Sequence, residues 1–115
     1  MKIKTAELTG RALDWAVMRV KAGKPLHTRS PFLVAAKYST EWEYGGPIIE
    51  REGISIAKDN GEKEWAAWPP AFRRDDAEHF GYGPTPLIAA MRCFCCAKLG
   101  EEVNIPEELC QSENS

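Results

Sequence analysis

Residues 83–100 have the sequence GPTPLIAAMRCFCCAKLG, the longest apolar run in the chain and the one with helix signals at both ends. Thr85 can accept hydrogen bonds from the first free amides as the N-cap, and Pro86 occupies the first helical position, where a missing N–H has no cost. Gly100 can take the left-handed conformation that ends a helix. The stretch therefore predicts a buried helix of about four turns that organises the rest of the chain.

This helix presents two sides of different bulk. At about 100° per residue, one side carries large groups and the other small ones. They are Leu87, Ile88, Met91, Phe94, Cys95 and Leu99 on the first, and Ala89, Ala90, Cys93, Cys96 and Ala97 on the second. The large side is suited to filling a core, and the small side allows a second element to approach closely. Only Arg92 and Lys98 are then left to reach water.

Size and composition predict one small α+β domain. With 115 residues, of which 43% are hydrophobic and 28% charged, the chain can bury a single core. We assign this domain to residues 1–109 and expect residues 110–115 to form a disordered tail, because that end has no apolar anchor. The segment before it is expected to dock through Val103, Ile105 and Leu109.

Charge and the N-terminus restrict the class of protein. The formal net charge is −2, and Lys and Arg are scattered along the chain, so nucleic-acid binding is not expected. No apolar run approaches the length of a membrane span, and the first residues lack the apolar segment of a signal peptide. We therefore expect a cytoplasmic protein without membrane contact.

Two segments before the central helix have clear patterns. Gly10–Ala22 predicts an amphipathic helix with its cap at Thr9 and with Asp14 largely outside the apolar stripe. Residues 54–68 predict a hairpin of an antiparallel sheet, since two strand-like runs flank a turn over residues 59–62. Met1–Glu7 predicts a short strand.

The remaining segments have weaker patterns. Phe32–Tyr38 is a possible strand, although without alternation its type stays open. Ser39–Pro47 predicts a loop, because its turn-forming residues surround two aromatics, and residues 47–53 predict one helical turn that begins at proline and ends at glycine. Ala71–Tyr82 predicts a charged connection.

An ordered series of short blocks resembles the NinX-like family of small bacteriophage proteins. The blocks are GGPIIE at residues 45–50, Gly-Ile at 53–54, a tryptophan-bearing strand and TPLIAAMR at 85–92, together with residues 1–5, 8–10, 13–16 and 99–103. The resemblance implies a phage-encoded accessory protein acting in the bacterial cytoplasm. None of the blocks contains a catalytic signature, so the resemblance assigns no active-site residue.

The cysteines of the central helix invite a redox or metal interpretation, which the pattern does not favour. Cys93 and Cys96 have Cys-x-x-Cys spacing, but they lie in the second half of their helix, where the dipole disfavours a thiolate. A zinc site needs four ligands, and the chain offers no second paired spacing. His79 stands among acidic residues without a nucleophile beside it. We expect buried thiols, no metal, no cofactor and no catalytic residue.

The aromatic residues are the strongest candidates for binding. Trp65 and Trp68 are three residues apart, so in a regular strand only one of them can point into the core. The other is left for a covering loop, a partner or a ligand. Trp, Tyr and Arg dominate binding hot spots. The candidate binding residues are Trp42, Tyr44, Trp65, Trp68, Arg73, Arg74 and Tyr82.

These candidates support two hypotheses of function. The first is a non-enzymatic interaction module that binds a host or phage protein through the region of Trp42 and Tyr44 and through residues 65–82. The second is a protein that binds or sequesters a small anionic, nucleotide-like ligand, stacked on tryptophan and neutralised by Arg73 or Arg74.

Overall fold

The computed structural model of the protein describes residues 2–22, 36–58, 64–70, 80–105 and 109. Within these ranges the fold is α+β, as predicted, with three α-helices and two small antiparallel sheets. The helices are α1 (Gly10–Ala22), α2 (Trp42–Glu52) and α3 (Pro86–Leu99), and the strands are β1 (Lys2–Lys4), β2 (Ser55–Lys58), β3 (Trp65–Trp68), β4 (Gly81–Gly83) and β5 (Glu102–Asn104). The predicted tail, residues 110–115, lies outside the described residues.

Both ends of α3 are formed by the residues that the sequence indicates. The Thr85 hydroxyl oxygen accepts a hydrogen bond from the Ile88 amide at 3.1 Å, and Pro86 is the first helical residue. At the other end, the Gly100 amide donates to the carbonyl of Cys96 at 3.0 Å. Gly100 has φ 85° and ψ −165°, so its φ is positive as expected, but the predicted left-handed helical conformation is wrong.

The small side of α3 lies against β4, which confirms that a second element approaches it closely. A Cβ atom on Gly81 would collide with the carbonyl oxygen of Ala89 and the amide nitrogen of Cys93. One on Gly83 would lie 2.7 Å from Cγ2 of Ile88. The helix therefore packs on the backbone of the strand, and a residue with a side chain at either glycine would push the two elements apart.

The predicted hairpin over residues 54–68 is confirmed. β2 and β3 are antiparallel, with Ser55 opposite Trp68 and Lys58 opposite Trp65. β3 is the central strand, since it also pairs with β4. The inner face of this sheet carries Ala67, which is fully buried.

β4 corrects the prediction that Ala71–Tyr82 is only a connection, because its last residues belong to a strand. Two glycines around one tyrosine have little strand propensity of their own. The strand forms because β3 supplies antiparallel partners and α3 covers its inner face. Residues 71–79 and the hairpin turn, residues 59–63, lie outside the described residues.

The two ends of the described chain meet at the C-terminal end of α3. Of the strand predicted over Met1–Glu7, only β1 forms, and it pairs antiparallel with β5, whereas Thr5–Glu7 form a 3₁₀ helix. Thr5 is buried between the two strands and α3: its hydroxyl donates to the Gly100 carbonyl at 2.6 Å and its amide donates to the Glu101 carbonyl at 2.7 Å. The predicted docking of the segment after α3 is confirmed by three buried residues: Val103, Ile105 and Leu109.

α1 has the predicted bounds, but the prediction that Asp14 lies outside its apolar stripe is wrong. The Leu13 amide donates to the Thr9 carbonyl at 3.3 Å, so α1 begins after Thr9. Asp14 is only 7% exposed, and its carboxylate accepts a hydrogen bond from the Ser39 amide at 2.8 Å. α1 is covered on two sides, by α3 and by the turn that contains Ser39.

The prediction of a loop over Ser39–Pro47 is wrong, because α2 begins at Trp42 and includes Pro47. Proline cannot donate to the carbonyl four residues earlier, so its position in a helix is unfavourable by propensity alone. Burial of Ile48, which is 1% exposed, offsets this cost. The predicted end at Gly53 is confirmed, with φ 67° and ψ 32°.

The segment before α2 is described only in part. Of the predicted strand Phe32–Tyr38, residues 36–38 are described, and they form coil and the start of a turn rather than a strand. The turn, Tyr38–Thr40, is held by the Thr40 amide, which donates to the Lys37 carbonyl at 3.2 Å.

Arg92 does not reach water in the way that the sequence predicts. Its Nε donates to the Leu8 carbonyl at 2.7 Å, and one guanidinium nitrogen donates to the Tyr82 carbonyl at 2.6 Å. The half-buried arginine therefore joins the start of α1 to β4. Lys98 is exposed and pairs with Glu52 of α2 at 3.3 Å, and Ala97, predicted on a packed side, is exposed as well.

Candidate functional site

The first turn of α2 exposes two of the candidate aromatic residues. Trp42 is 55% exposed and Tyr44 is 43% exposed. The sequence predicts an aromatic loop at this place. The aromatic side chains stand instead on a helix, so their positions are fixed by the packing of that helix on the core.

Two residues of α2 fix the helix to its surroundings. A Cβ atom on Gly45 would collide with the carbonyl oxygen of Tyr38 and with Cδ1 of Leu87. Ile48, one turn later, is buried. Because the helix touches both the preceding turn and the first turn of α3, the backbone positions that carry Trp42 and Tyr44 are fixed.

A chain of contacts joins α1 to Tyr44. The Tyr38 ring meets the Tyr44 ring edge to face, with centroids 6.3 Å apart, and Lys21 Nζ lies 5.0 Å from the Tyr38 centroid. Ser39 is held by Asp14, as described above. Burial raises the pKa of the Asp14 carboxyl, while its hydrogen bonds with Ser39 lower it in part. Sequence reasoning missed Asp14, although an acidic residue directly after the buried Leu13 was a usable signal.

The outer face of the three-stranded sheet carries a second group of aromatic residues, which we name the sheet row: Trp68, Phe80 and Tyr82. The Trp68 and Phe80 rings are stacked, with centroids 6.0 Å apart and an angle of 24° between the planes. The Phe80 and Tyr82 centroids are 6.4 Å apart. Tyr82 is 43% exposed, whereas the other two are half-buried and make further contacts.

Trp65 lies on the opposite face from Trp68, as the odd separation of the two residues predicts. It packs against the core, and Lys58 Nζ lies 5.9 Å from its ring centroid. Trp65 is therefore half-buried at the edge of the core and is not part of the sheet row.

The structure separates the candidates into two groups. Trp42 and Tyr44 lie on α2, and Trp68 and Tyr82 lie on the sheet. The first turn of α3 packs against both elements: Leu87 meets α2 at Gly45, and Ile88 meets β4 at Gly83. Arg73, Arg74 and His79 lie outside the described residues.

The three cysteines of α3 are buried free thiols, as expected. Burial raises the pKa of Cys93 to about 12 and that of Cys96 to about 11. Burial also raises the pKa of Cys95, which is fully enclosed. A thiol is a good nucleophile only as the thiolate. At neutral pH these groups act as small apolar side chains that fit a tightly packed helix.

A cleft of about 280 Å³, which the sequence does not indicate, lies beside the C-terminal end of α3. Its lining consists of Lys4, Ala6, Cys96, Glu101 and Glu102. Both charge signs are present, and the thiol on its wall has the raised pKa given above. The lining defines no particular ligand chemistry.

Two further kinds of feature, a metal-binding cluster and a membrane-spanning helix, are absent from the described part of the chain. No group of three His, Cys, Asp or Glu side chains there could hold a metal ion. No helix within the described ranges is long and apolar enough to cross a membrane.

Together these observations define a small α+β protein in which the thiols of α3 are buried and the exposed aromatic side chains of the described ranges stand on a packed helix and on a sheet. Residues 4–98 match the family model described as NinX of bacteriophage P22. The chain belongs to this phage protein family. A search of curated proteins finds no match.

Proposed function

We propose that this NinX-family chain is a non-enzymatic interaction module that binds a host or phage protein in the bacterial cytoplasm. The observation that carries the proposal is the exposure of Trp42, more than half of whose surface is open to solvent on an otherwise anchored helix. Tryptophan and tyrosine are the residues most enriched at the centres of protein interfaces. We name the proposed binding surface, formed by Trp42, Glu43, Tyr44, Pro47 and Glu50, the α2 surface.

The anchoring of α2 supports this function. Ordering a flexible segment on binding costs free energy that a fixed helix does not lose. Gly45 and Ile48 hold the helix against Tyr38 and Leu87, so Trp42 is presented in one place. This arrangement suits a binding module, whereas catalysis by a cysteine would need an accessible thiolate, which burial opposes in Cys93, Cys95 and Cys96.

Photo-crosslinking tests the proposal directly. The photoreactive aromatic residue benzoylphenylalanine replaces Tyr44 in one variant and the exposed Asn104 of β5 in a control, and both are irradiated in phage-infected cells. We expect a discrete crosslinked protein from position 44 and none from position 104. Equal products from both positions, or no product from position 44, would contradict the proposal.

The sheet row supports a second candidate function, the binding of a small anionic, nucleotide-like ligand. Its stacked Trp68 and Phe80 rings continue to the exposed Tyr82, and flat aromatic faces bind bases by stacking. Tryptophan fluorescence and thermal shift against a panel of nucleotides test this candidate. A saturable response that Tyr82→Ala removes would support it, and a flat response across the panel would exclude it.

A further inference from the structure

The outward side of α2 carries an acidic ridge between its two exposed aromatic residues. Successive helical residues are turned by about 100°, so Glu43, Pro47 and Glu50 form the crest of this side. All three are exposed. Trp42 and Tyr44 lie one step before and after Glu43, and thus on either flank of the crest. The α2 surface is therefore aromatic at its edges and negatively charged at its centre.

The two acidic groups of this surface, Glu43 and Glu50, have no ion-pair partner among the residues that the structure describes. In the described part of the chain, Glu41, Glu43 and Glu50 form no ion pair. Glu52, on the inner side of the same helix, differs in this respect: it pairs with Arg51 at 3.2 Å and with Lys98 at 3.3 Å. Arg51 and Lys98 are thus paired with Glu52, and within the described ranges no cation pairs with the crest.

Lys21, a cation near the side of α2 that carries Tyr44, also has a contact of its own. Lys21 lies over the ring of Tyr38, which packs against Tyr44. This cation is held at about the usual cation–π distance from Tyr38, which lies outside the α2 surface. It leaves the exposed faces of Trp42 and Tyr44 for another group.

We infer that the partner segment that docks on the α2 surface is basic, with Lys or Arg side chains beside apolar ones. Unpaired carboxylates attract cations and repel anionic partners, which speeds and selects the encounter. The aromatic flanks add a cation–π contribution and apolar area. This inference rests on the proposed function and names the chemistry of its partner.

The test uses two short synthetic peptides, one of alternating leucine and lysine and one in which glutamate replaces every lysine. Each is titrated into the isotope-labelled full-length protein, and backbone amide signals are followed by NMR. We expect the basic peptide to cause saturable shifts in residues 41–51 and the acidic peptide to cause none. Equal shifts with both peptides, or shifts outside residues 41–51 only, would overturn the inference, as would no saturable shift with the basic peptide.

Variants that remove charges test whether the carboxylates of the crest bind the basic peptide. Glu43→Gln with Glu50→Gln keeps the shape of the crest, and both residues are exposed, so folding is expected to be unaffected. We expect binding of the basic peptide to weaken roughly fivefold, as for two surface ion pairs. Glu101→Gln with Glu102→Gln is the matched control at two exposed carboxylates outside the α2 surface, and it should bind as the unmodified chain does. Equal affinity of the crest variant and the control would contradict the inference.

The outcomes also separate this inference from the proposed function. A crosslinked partner whose attached segment contains no Lys or Arg would leave the interaction function in place and remove the inference. Absence of any crosslink from position 44 would remove the function itself.

Discussion

At the scale of single residues, Asp14 shows how a charged group is used inside this fold. Its carboxylate is buried and accepts a hydrogen bond from the Ser39 amide in the turn before α2. The groups that act on it, Ser39 and Lys37, both come from the segment just before α2. Asp14 thus connects α1 to the segment that leads into the α2 surface.

The raised pKa of Asp14 has a consequence for stability. A carboxyl with a higher pKa in the folded state binds its proton more tightly there, so its contribution to the unfolding free energy falls as pH rises through the folded pKa. Burial is the main cause of the rise from the ordinary value of 3.8. We expect Asp14→Asn, which cannot ionise, to become more stable relative to the unmodified chain as pH rises above 3.8.

Urea unfolding of both proteins from acidic to neutral pH measures this difference. Gly46→Ala, which changes no ionisable group, is the control and should show no such trend. If the stability difference between Asp14→Asn and the unmodified chain is the same at every pH, the assignment of a buried carboxyl with a raised pKa is contradicted.

At the scale of elements, the two adjacent glycines of α2 have different surroundings. Gly45 faces inward, where a Cβ atom would meet Tyr38 and Leu87. Gly46 faces Trp42, and a Cβ atom there would lie 3.8 Å from the indole Cε3, an ordinary contact. Neither glycine has a positive φ, so alanine is compatible with the backbone at both positions.

The two glycines therefore predict opposite effects of the same substitution. Gly46→Ala should stabilise the protein by about 0.5–1 kcal/mol, because alanine has the higher helix propensity. Gly45→Ala gains the same propensity but should destabilise the protein by about 1–3 kcal/mol through overpacking. Chemical denaturation of both variants measures the difference, and equal effects would show that α2 is not packed against α3 as described.

The same helix shows what the sequence could and could not predict. α1, α3 and the hairpin have periodicity or end signals that agree with their packing, and their bounds follow from the sequence. α2 contains Gly45, Gly46 and Pro47 in a row, which predicts a loop from local propensity. Gly45 is needed for contact with Tyr38 and Leu87, and this contact depends on residues far away in the sequence, which local patterns do not register.

The candidate site was predictable to a similar extent. The sequence selects Trp42, Tyr44 and Tyr82 as candidate binding residues, and all three are exposed. It also predicts that Trp65 and Trp68 lie on opposite faces, which follows from strand alternation. It places Trp42 and Tyr44 in a loop and Trp65 and Trp68 on a hairpin, but it could not show that Trp42 and Tyr44 stand on a helix, because α2 depends on its packing against Leu87.

At the scale of the whole molecule, α3 is the common support. Its small side lies on β4, its first turn meets α2, and its C-terminal end meets Thr5 and, through it, the first strand. Arg92 adds a polar connection between the start of α1 and β4. Burial lowers the pKa of this guanidinium, and Glu64 and Glu7 favour its charged form.

This arrangement predicts that any substitution that adds a side chain at Gly81 destabilises the protein. Gly81→Ala places a methyl group against the backbone of α3 at Ala89 and Cys93, where neither backbone can yield locally. We expect a loss of about 3 kcal/mol of unfolding free energy. Thermal unfolding measures this loss, with Gly46→Ala as the control for a tolerated glycine. Equal melting temperatures of the unmodified chain and Gly81→Ala would contradict the close packing of helix and strand.

The most direct test of the interaction function is the affinity of a partner recovered by crosslinking from position 44. Calorimetry compares the unmodified chain with Trp42→Ala and with Tyr82→Ala, which truncates an exposed aromatic residue of the sheet row. We predict that Trp42→Ala weakens binding by about 2 kcal/mol or more, roughly thirtyfold, as expected for a hot-spot tryptophan, and that Tyr82→Ala changes it little. An unchanged affinity for Trp42→Ala would contradict the assignment of the interaction to α2.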